Sequence, residues 1–452
     1  MNCKLLISIM FYCCAIVFTT VNAQSSKNGW VSLFNGKDIS GWIQLGGQAK
    51  YIVENGEIVG TTVEDTPNSF LRTDKTYGDF IAELELKVDT SMNSGIQFRS
   101  NSRPEYQKGR VHGYQMEVDP STRAWSGGIY DEGRRGWLYT LEINPEAKVA
   151  FKNGQWNKYR IEAIGNHIKT FINNVPCSDV LDNLEPIGFI ALQVHSIEIK
   201  KRPWTKGTQV RWRNIRILTT DLQKNLKKSK EIPQINLIAN TVSGYEKKNG
   251  WKLLFDGKSL SGWRGVLKTK LPEKGLLIKD GVVSIMPKGE GGDIVTIDQY
   301  DNFELTFDFK LTEGANSGVK YYVNENGYGP GALGLEFQIL DDQRHPDAKN
   351  GRDGNRKLGS LYDLKSAPVK RPNAIGEWNT GKIIANNNKI EHWLNGFKIL
   401  EIERGSKEYL DLVALSKYKD FKNFGMAPKG YILIQDHGDE VSYRNIKIKQ
   451  LK

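Results

Sequence analysis

Gly334-Leu335-Glu336-Phe337-Gln338-Ile339-Leu340-Asp341-Asp342 alternates apolar and polar side chains at period two. That period marks a β-strand with one face turned to a core. Glu336 and Gln338 fall on one face, and Leu335, Phe337 and Ile339 on the other. An earlier echo, Gly113-Tyr114-Gln115-Met116-Glu117-Val118-Asp119, sets Gln115, Glu117 and Asp119 against Tyr114, Met116 and Val118. With the glycines superposed, Gln115 falls on Glu336 and Glu117 on Gln338. Each strand therefore offers one carboxylate beside one amide, in exchanged order. A half-buried strand whose polar face meets water would read the same way. The surrounding repeat favours a pair of sites.

The repeat runs through the whole chain in constant order. Gly29-Trp30-Val31-Ser32-Leu33-Phe34-Asn35-Gly36-Lys37 returns as Gly250-Trp251-Lys252-Leu253-Leu254-Phe255-Asp256-Gly257-Lys258. Asn93-Ser94-Gly95 returns as Asn316-Ser317-Gly318, and Gly154-Gln155-Trp156-Asn157 as Gly376-Glu377-Trp378-Asn379. Gln193-Val194-His195 returns as Gln435-Asp436-His437, and Arg213-Asn214-Ile215 as Arg444-Asn445-Ile446. The organisation expected is copy one over 29–219, a polar linker over 220–249 containing Pro233, and copy two over 250–452. Within each copy short alternating strands dominate. Examples are Glu83 to Val88, Phe303 to Phe309, and hairpins turning at Gly165-Asn166 and at Asn386-Asn387-Asn388. The fold class expected from this pattern is all-β, two tandem two-sheet jelly rolls or sandwiches, with a short helix between Asp411 and Phe424.

A chain of 452 residues is too long for one core. Its net charge of +11 comes from scattered lysines and arginines, with no dense basic helix. That reads as solubility and not as nucleic-acid binding. Residues 1–23 look like a secretory signal: Lys4, an apolar run from Leu5 to Val21, then Val21-Asn22-Ala23 before Gln24. The expected location is periplasmic or extracellular. Bulky Met10-Phe11-Tyr12 ahead of Cys13 and Cys14 argues against a lipid anchor, and no segment is long enough for a membrane span. Of four cysteines only Cys177 would remain, so it is expected as a free thiol. Oligomeric state is not legible.

Matched tryptophans such as Trp30, Trp42, Trp156 and Trp378 suit core packing. Trp125, Trp137 and Trp204 occur only in copy one and could stack on a sugar. Copy one also concentrates Tyr130, Asp131, Glu132, Arg134, Arg135 and Trp137 in one glycine-rich stretch. Copy two carries Tyr362-Asp363 after an insertion, Asp341 to Lys357, that holds His345, Asp347 and Arg356. Asp341, Asp342, His345 and Asp347 are ligand types a divalent metal accepts, although their spacing fits no strict template. The cofactor expectation is therefore none, with a divalent metal left open. His195 and His437 follow strand-like runs at equivalent places, where an imidazole near a carboxylate can act as general acid or base.

Taken together, the Trp-x-x-Leu-Phe-(Asn/Asp)-Gly-Lys opening, Asn-Ser-Gly, Gly-Leu-Glu-Phe-Gln-Ile-Leu-Asp with His345-Pro346-Asp347, Gly-Glu-Trp-Asn and Gln-Asp-His-Gly-Asp resemble the secreted 3-keto-disaccharide hydrolase family. Activities described for that family are 3-keto-glucoside 1,2-lyase and 3-keto-2-hydroxy-glucal hydratase. The resemblance implies two tandem concanavalin A-like jelly-roll β-sandwich domains and a carbohydrate partner already oxidised at C3. It implies cleavage through C2 proton abstraction, elimination at C1 and hydration. On that reading Glu336 and His437 are the acid and base of copy two, with Gln338, Tyr322, Asp341, His345 and Asp363 around the substrate. In copy one the set is Glu117, Asp131 and His195, with Gln115, Arg99, Glu132, Arg134, Arg135 and Trp137. Copy one lacks the His-Pro-Asp insertion, so copy two is expected to carry the main activity. Two rival readings are an ordinary jelly-roll glycoside hydrolase and a non-catalytic carbohydrate-binding protein.

Overall fold

The computed structural model describes residues 28–198, 200, 205–289, 291–325 and 332–451. The expected signal, with Cys13 and Cys14, and Trp204 lie outside the described residues. Each copy is a two-sheet β-sandwich. In copy two the front sheet orders Trp263–Gly265, Ile294–Thr296, Tyr431–Ile434, Asn316–Asn324 and Leu333–Leu340. Its back sheet runs from Leu276–Lys279 through Val441–Gln450 and Phe303–Leu311 to Phe397–Glu403. Copy one repeats the plan. Its front sheet runs Gly136–Tyr139, Ile129–Glu132, His112–Val118, Ser94–Asn101, Phe189–Val194, Ser69–Thr73 and Trp42–Gly46.

The cores lie between the sheets, as the alternation requires. Leu335, Phe337 and Ile339 pack with Leu305 and Phe307 of the opposing sheet, and Tyr114, Met116 and Val118 pack with Leu84 and Leu86. The expected hairpins form. Asn157–Ile164 pairs with His167–Ile172, and Asn379–Asn386 with Lys389–Leu394 across a turn in which Asn387 takes φ 54°. The helix spans Lys407–Ala414, so it starts and ends earlier than expected. Ser406 caps it by accepting from the Tyr409 amide.

Residues 220–249 are tied to both sandwiches. Ile235–Asn236 adds a parallel strand to Val175–Leu181 of copy one. The helix Gly244–Lys248 begins in a capping box between Ser243 and Glu246. Glu246 then takes Asn236 Nδ2 at 2.7 Å and Lys447 Nζ of copy two at 2.8 Å. Trp125 of copy one meets Phe397 of copy two with ring centroids 5.8 Å apart.

The matched tryptophans divide. Trp42 and Trp263 are buried, each donating to a backbone carbonyl, of Leu33 and Leu254 respectively. Trp30, Trp156 and Trp378 lie beneath Arg216, Arg213 and Arg444 at 4.4, 3.9 and 4.1 Å. Cys177 is a free, buried thiol. Among the described residues no helix is long and apolar enough to cross a membrane.

Candidate active sites

The polar face of the Leu333–Leu340 strand is not solvated: Glu336 is 4% exposed and Gln338 1%. Its cover comes from the loop after the strand and from the segment after the helix. Tyr362 N–H donates to the Glu336 carbonyl, and the Lys417 N–H donates to Asp363 Oδ2 at 2.7 Å. Beneath this cover Asn316, Glu336, Gln338, Tyr362, Lys417, Gln435 and His437 line a pocket of ≈ 60 Å³. That volume holds a water or two, or the reacting edge of a sugar, and not a whole ring.

Lys320 stands directly opposite Glu336 across the strand pair, with Nζ 3.7 Å from Asp293. The Lys417 ammonium lies 4.3 Å from the Tyr362 ring centre. The Gln338 amide sits between Glu336 and Asn316. With its nitrogen turned to Glu336 it donates to Oε1 at 2.9 Å and to the Ser317 carbonyl at 3.2 Å. Burial raises the Glu336 carboxyl above its ordinary value, although Lys320 and Lys417 pull the other way. The same burial lowers Lys417. A buried carboxylate made more basic, with two cations around it, has the chemistry a general base beside an anion-stabilising pair requires.

The Asn-Ser-Gly motif explains itself here. A Cβ on Gly318 would lie 2.3 Å from Glu336 Oε1, and one on Gly95 would lie 2.3 Å from the Gln115 side chain. Ser317 and Ser94 donate to the backbone carbonyls of Gln435 and Gln193, binding the motif to the histidine-bearing strand. Asn93 donates to Glu117 Oε1 at 2.6 Å.

Copy one builds the same floor without the charge pair. Gln97 stands opposite Gln115, where copy two has Lys320 opposite Glu336. Gln97 Nε2 donates to Gln115 Oε1 at 2.6 Å, and Gln115 Nε2 to Glu117 Oε2 at 2.9 Å. Tyr130, opposite Gln115, and Glu132 share this face. Glu132 is raised by burial, with Arg110 3.7 Å away. His195 is half-buried, its Nδ1 2.7 Å from the Ser196 carbonyl oxygen.

Burial also pushes Glu117 from 4.5 up to about 7, against the hydrogen bonds from Asn93 and Gln115. Between those two values the folded chain keeps a proton that the unfolded chain has lost, so stability falls as pH rises through the window. The cost is at most about 3 kcal/mol at neutral pH. Glu117→Gln should remove that slope, read by thermal melts across pH 4.5 to 7. A slope equal to that of the unaltered protein would contradict the assignment.

Several expected site residues lie elsewhere. Asp131 pairs with Tyr114 in register and so faces the other side of the sheet from Gln115. There it is fully buried between Arg134 at 2.8 Å and Arg135 at 2.5 Å, which also hold Glu185 and Asp182. Arg99 donates to the carbonyls of Gly78 and Gly165 and pairs with Asp79. Tyr322 donates to the Asp301 carbonyl beneath Arg404, 3.9 Å away. Arg99 and Tyr322 occupy matching breaks in strand register and take φ 43° and 52°. Trp125 is 4% exposed, too enclosed to stack on a sugar, while Trp137 lies half-buried against Tyr130 at 5.2 Å.

In copy two Asp341 takes the backbone amides of Gly314, Gln343 and Arg344. Asp342 takes the Leu358 amide and Lys370, and Asp347 takes Arg356 and Tyr362 Oη. The four-residue metal set read from the sequence is thus committed to other bonds, His345 apart. Asp363 accepts from Arg356 at 2.6 Å and positions Lys417. Lys320, Asp293, Lys417 and Asp439 went unread. Lys320 shares the alternate face of Asn316 and Gly318, and Asp439 closes the Gln-Asp-His-Gly-Asp motif; Asp293 and Lys417 carry no such local signal.

A family model described as the 3-keto-alpha-glucoside-1,2-lyase-like domain matches residues 29–218 and 250–449. A curated relative, the 3-keto-disaccharide hydrolase of Bacteroides thetaiotaomicron, is 35% identical over 230 residues, 45% of this chain and 79% of that protein. A solved Parabacteroides distasonis protein assigned to the glycosyl hydrolases is 33% identical, covering 47% of this chain and 100% of its own, with TM-score 0.43. Another from the same organism is 30% identical over 45% of this chain and 100% of its own, with TM-score 0.36.

Proposed function

The chain belongs to the 3-keto-alpha-glucoside-1,2-lyase-like domain family, in two tandem copies, and on that premise we propose that it cleaves glycosides whose sugar carries a ketone at C3. The observation that supports this most is the buried Glu336 facing Lys320 with Lys417 close by. A ketone at C3 acidifies the C2 proton. Glu336 takes that proton, and the electron pair passes to the C3 oxygen as an enolate. Lys320 and Lys417 supply positive charge where this negative charge develops. The enolate collapses, the C1–O bond breaks, and the departing oxygen is protonated. Water then adds across C1 and C2, placing hydroxyl on C1 and a proton back on C2. The net change is hydrolysis by elimination and hydration. His437 lines the same pocket from the loop after Tyr431–Ile434 and acts on the oxygen side of the substrate.

The paired-carboxylate glycosidase is a weaker reading, because the copy-two pocket is lined by one carboxylate, Glu336, beside the Lys417 ammonium. Incubation with 3-keto-trehalose and with trehalose separates them. Release of glucose from the keto form alone supports the proposal, and equal cleavage of both overturns it. Lys320→Met should lower kcat by about 10²-fold with a smaller change in KM, as removal of one oxyanion donor does. An unchanged kcat would take Lys320 out of the enolate's surroundings.

A further inference from the structure

His345, His437 and Asp439 each offer a ligand atom within 4.8 Å of the others. They come from two separate segments: the insertion after the Glu336 strand, and the loop after Tyr431–Ile434. The two imidazole rings stand at 87°, with centroids 5.9 Å apart. Asp439 is held by the Asn316 amide on Oδ2 at 3.0 Å, and Asn316 itself lines the pocket with Glu336 and His437. His345 is carried on a short 3-10 turn, Pro346–Lys349, whose Asp347 is anchored by Arg356 and Tyr362. Two histidines and one carboxylate, leaving coordination positions open, are the donor set of a facial metal site. Bond lengths of about 2.0 to 2.2 Å set donors on one ion about 3 to 3.5 Å apart, so closure asks for a small inward movement. His345 is the arm that moves, because its Nδ1 now accepts only a long 3.2 Å bond from the Asp347 amide.

We propose that His345, His437 and Asp439 bind one divalent transition-metal ion at the rim of the copy-two pocket, and that its open positions receive the neighbouring ketone and hydroxyl oxygens of the sugar. The part concerning the sugar rests on the function proposed above; the metal site itself does not. This trio differs from the aspartate-rich set read from the sequence, whose carboxylates serve the loop. Copy one supplies an internal comparison. His195 matches His437, but Ile197 stands where copy two has Asp439, and the insertion carrying His345 is missing. The chain should therefore take one equivalent of metal and not two.

The test is titration of the full, chelator-treated chain with Co²⁺, followed by calorimetry and by visible absorption of the bound ion. One equivalent is expected. His437→Ala and Asp439→Asn should each raise Kd by about 100-fold or more, while His195→Ala leaves affinity and stoichiometry unchanged. Asp439→Asn is nearly isosteric and keeps an oxygen for the Asn316 amide, so loss of binding there is not loss of fold. His345→Ala should weaken binding less than His437→Ala does. Two equivalents, no saturable binding, or unchanged affinity in Asp439→Asn would each overturn the site. Because the readout is metal binding, its failure leaves sugar cleavage to be judged separately by product release.

Discussion

Glu336→Gln is expected to lower turnover of a 3-keto glycoside by about 10³-fold, within the range that removal of a general base produces. The substitution is nearly isosteric, and Gln338 and Asn316 already show that amides are accommodated on this floor. Burial disfavours the ionised form of Glu336, so a neutral amide should not lower the melting temperature. Glu117→Gln should change turnover by no more than a few-fold. Glu117 stands two residues along the strand from the position matching Glu336, a displacement of about 6.5 Å. Catalytic placement tolerates errors nearer an ångström. Copy one also sets Gln97 where copy two sets Lys320, so an enolate there would lack that cation. If Glu117→Gln silences the enzyme and Glu336→Gln does not, copy one is the catalyst.

Gly318→Ala should cost about 10² in turnover without touching substrate. The new methyl would lie 2.3 Å from Glu336 Oε1, 2.9 Å from Cδ and 3.0 Å from Cγ, so the whole side chain must shift. Gly318 is not at positive φ, so the backbone accepts alanine and the effect falls on the carboxylate. A misplacement of about 1 Å is enough for a loss of that size. Gly95→Ala, which displaces Gln115 in copy one, is the matched control and should leave turnover nearly intact. Equal losses from the two substitutions would mean that the clefts work together. No loss from Gly318→Ala would mean that the position of Glu336 is not critical.

The strands were legible because side-chain parity is a local property. Leu335, Phe337 and Ile339 enter the core as their alternation requires, and Glu336 and Gln338 share the opposite face. Parity fails at two kinds of place. At Arg99 and Tyr322 a left-handed residue interrupts the strand and turns the side chain away from the face that counting assigns it. At Asp131 the alternation is intact, but which of Tyr130 and Asp131 faces Gln115 depends on register with a neighbouring strand, and nothing local fixes that. Lys417 was illegible for a third reason: it reaches Glu336 from a loop about eighty residues further on, held there by Asp363. The insertion's aspartates, read as metal ligands, turned out to hold its own backbone and Arg356.

Elimination and ordinary hydrolysis differ in the fate of the hydrogen on C2, and that difference tests the central claim most directly. A 3-keto disaccharide carrying deuterium at C2 would be cleaved in ordinary water and the early product weighed by mass spectrometry. Removal of that deuteron by Glu336, followed by hydration, predicts a 3-keto sugar that has exchanged it for solvent hydrogen, and a slower reaction than with the unlabelled substrate. A product that keeps its C2 deuterium, formed at the same rate as from the unlabelled substrate, would contradict proton abstraction and point to direct hydrolysis at C1.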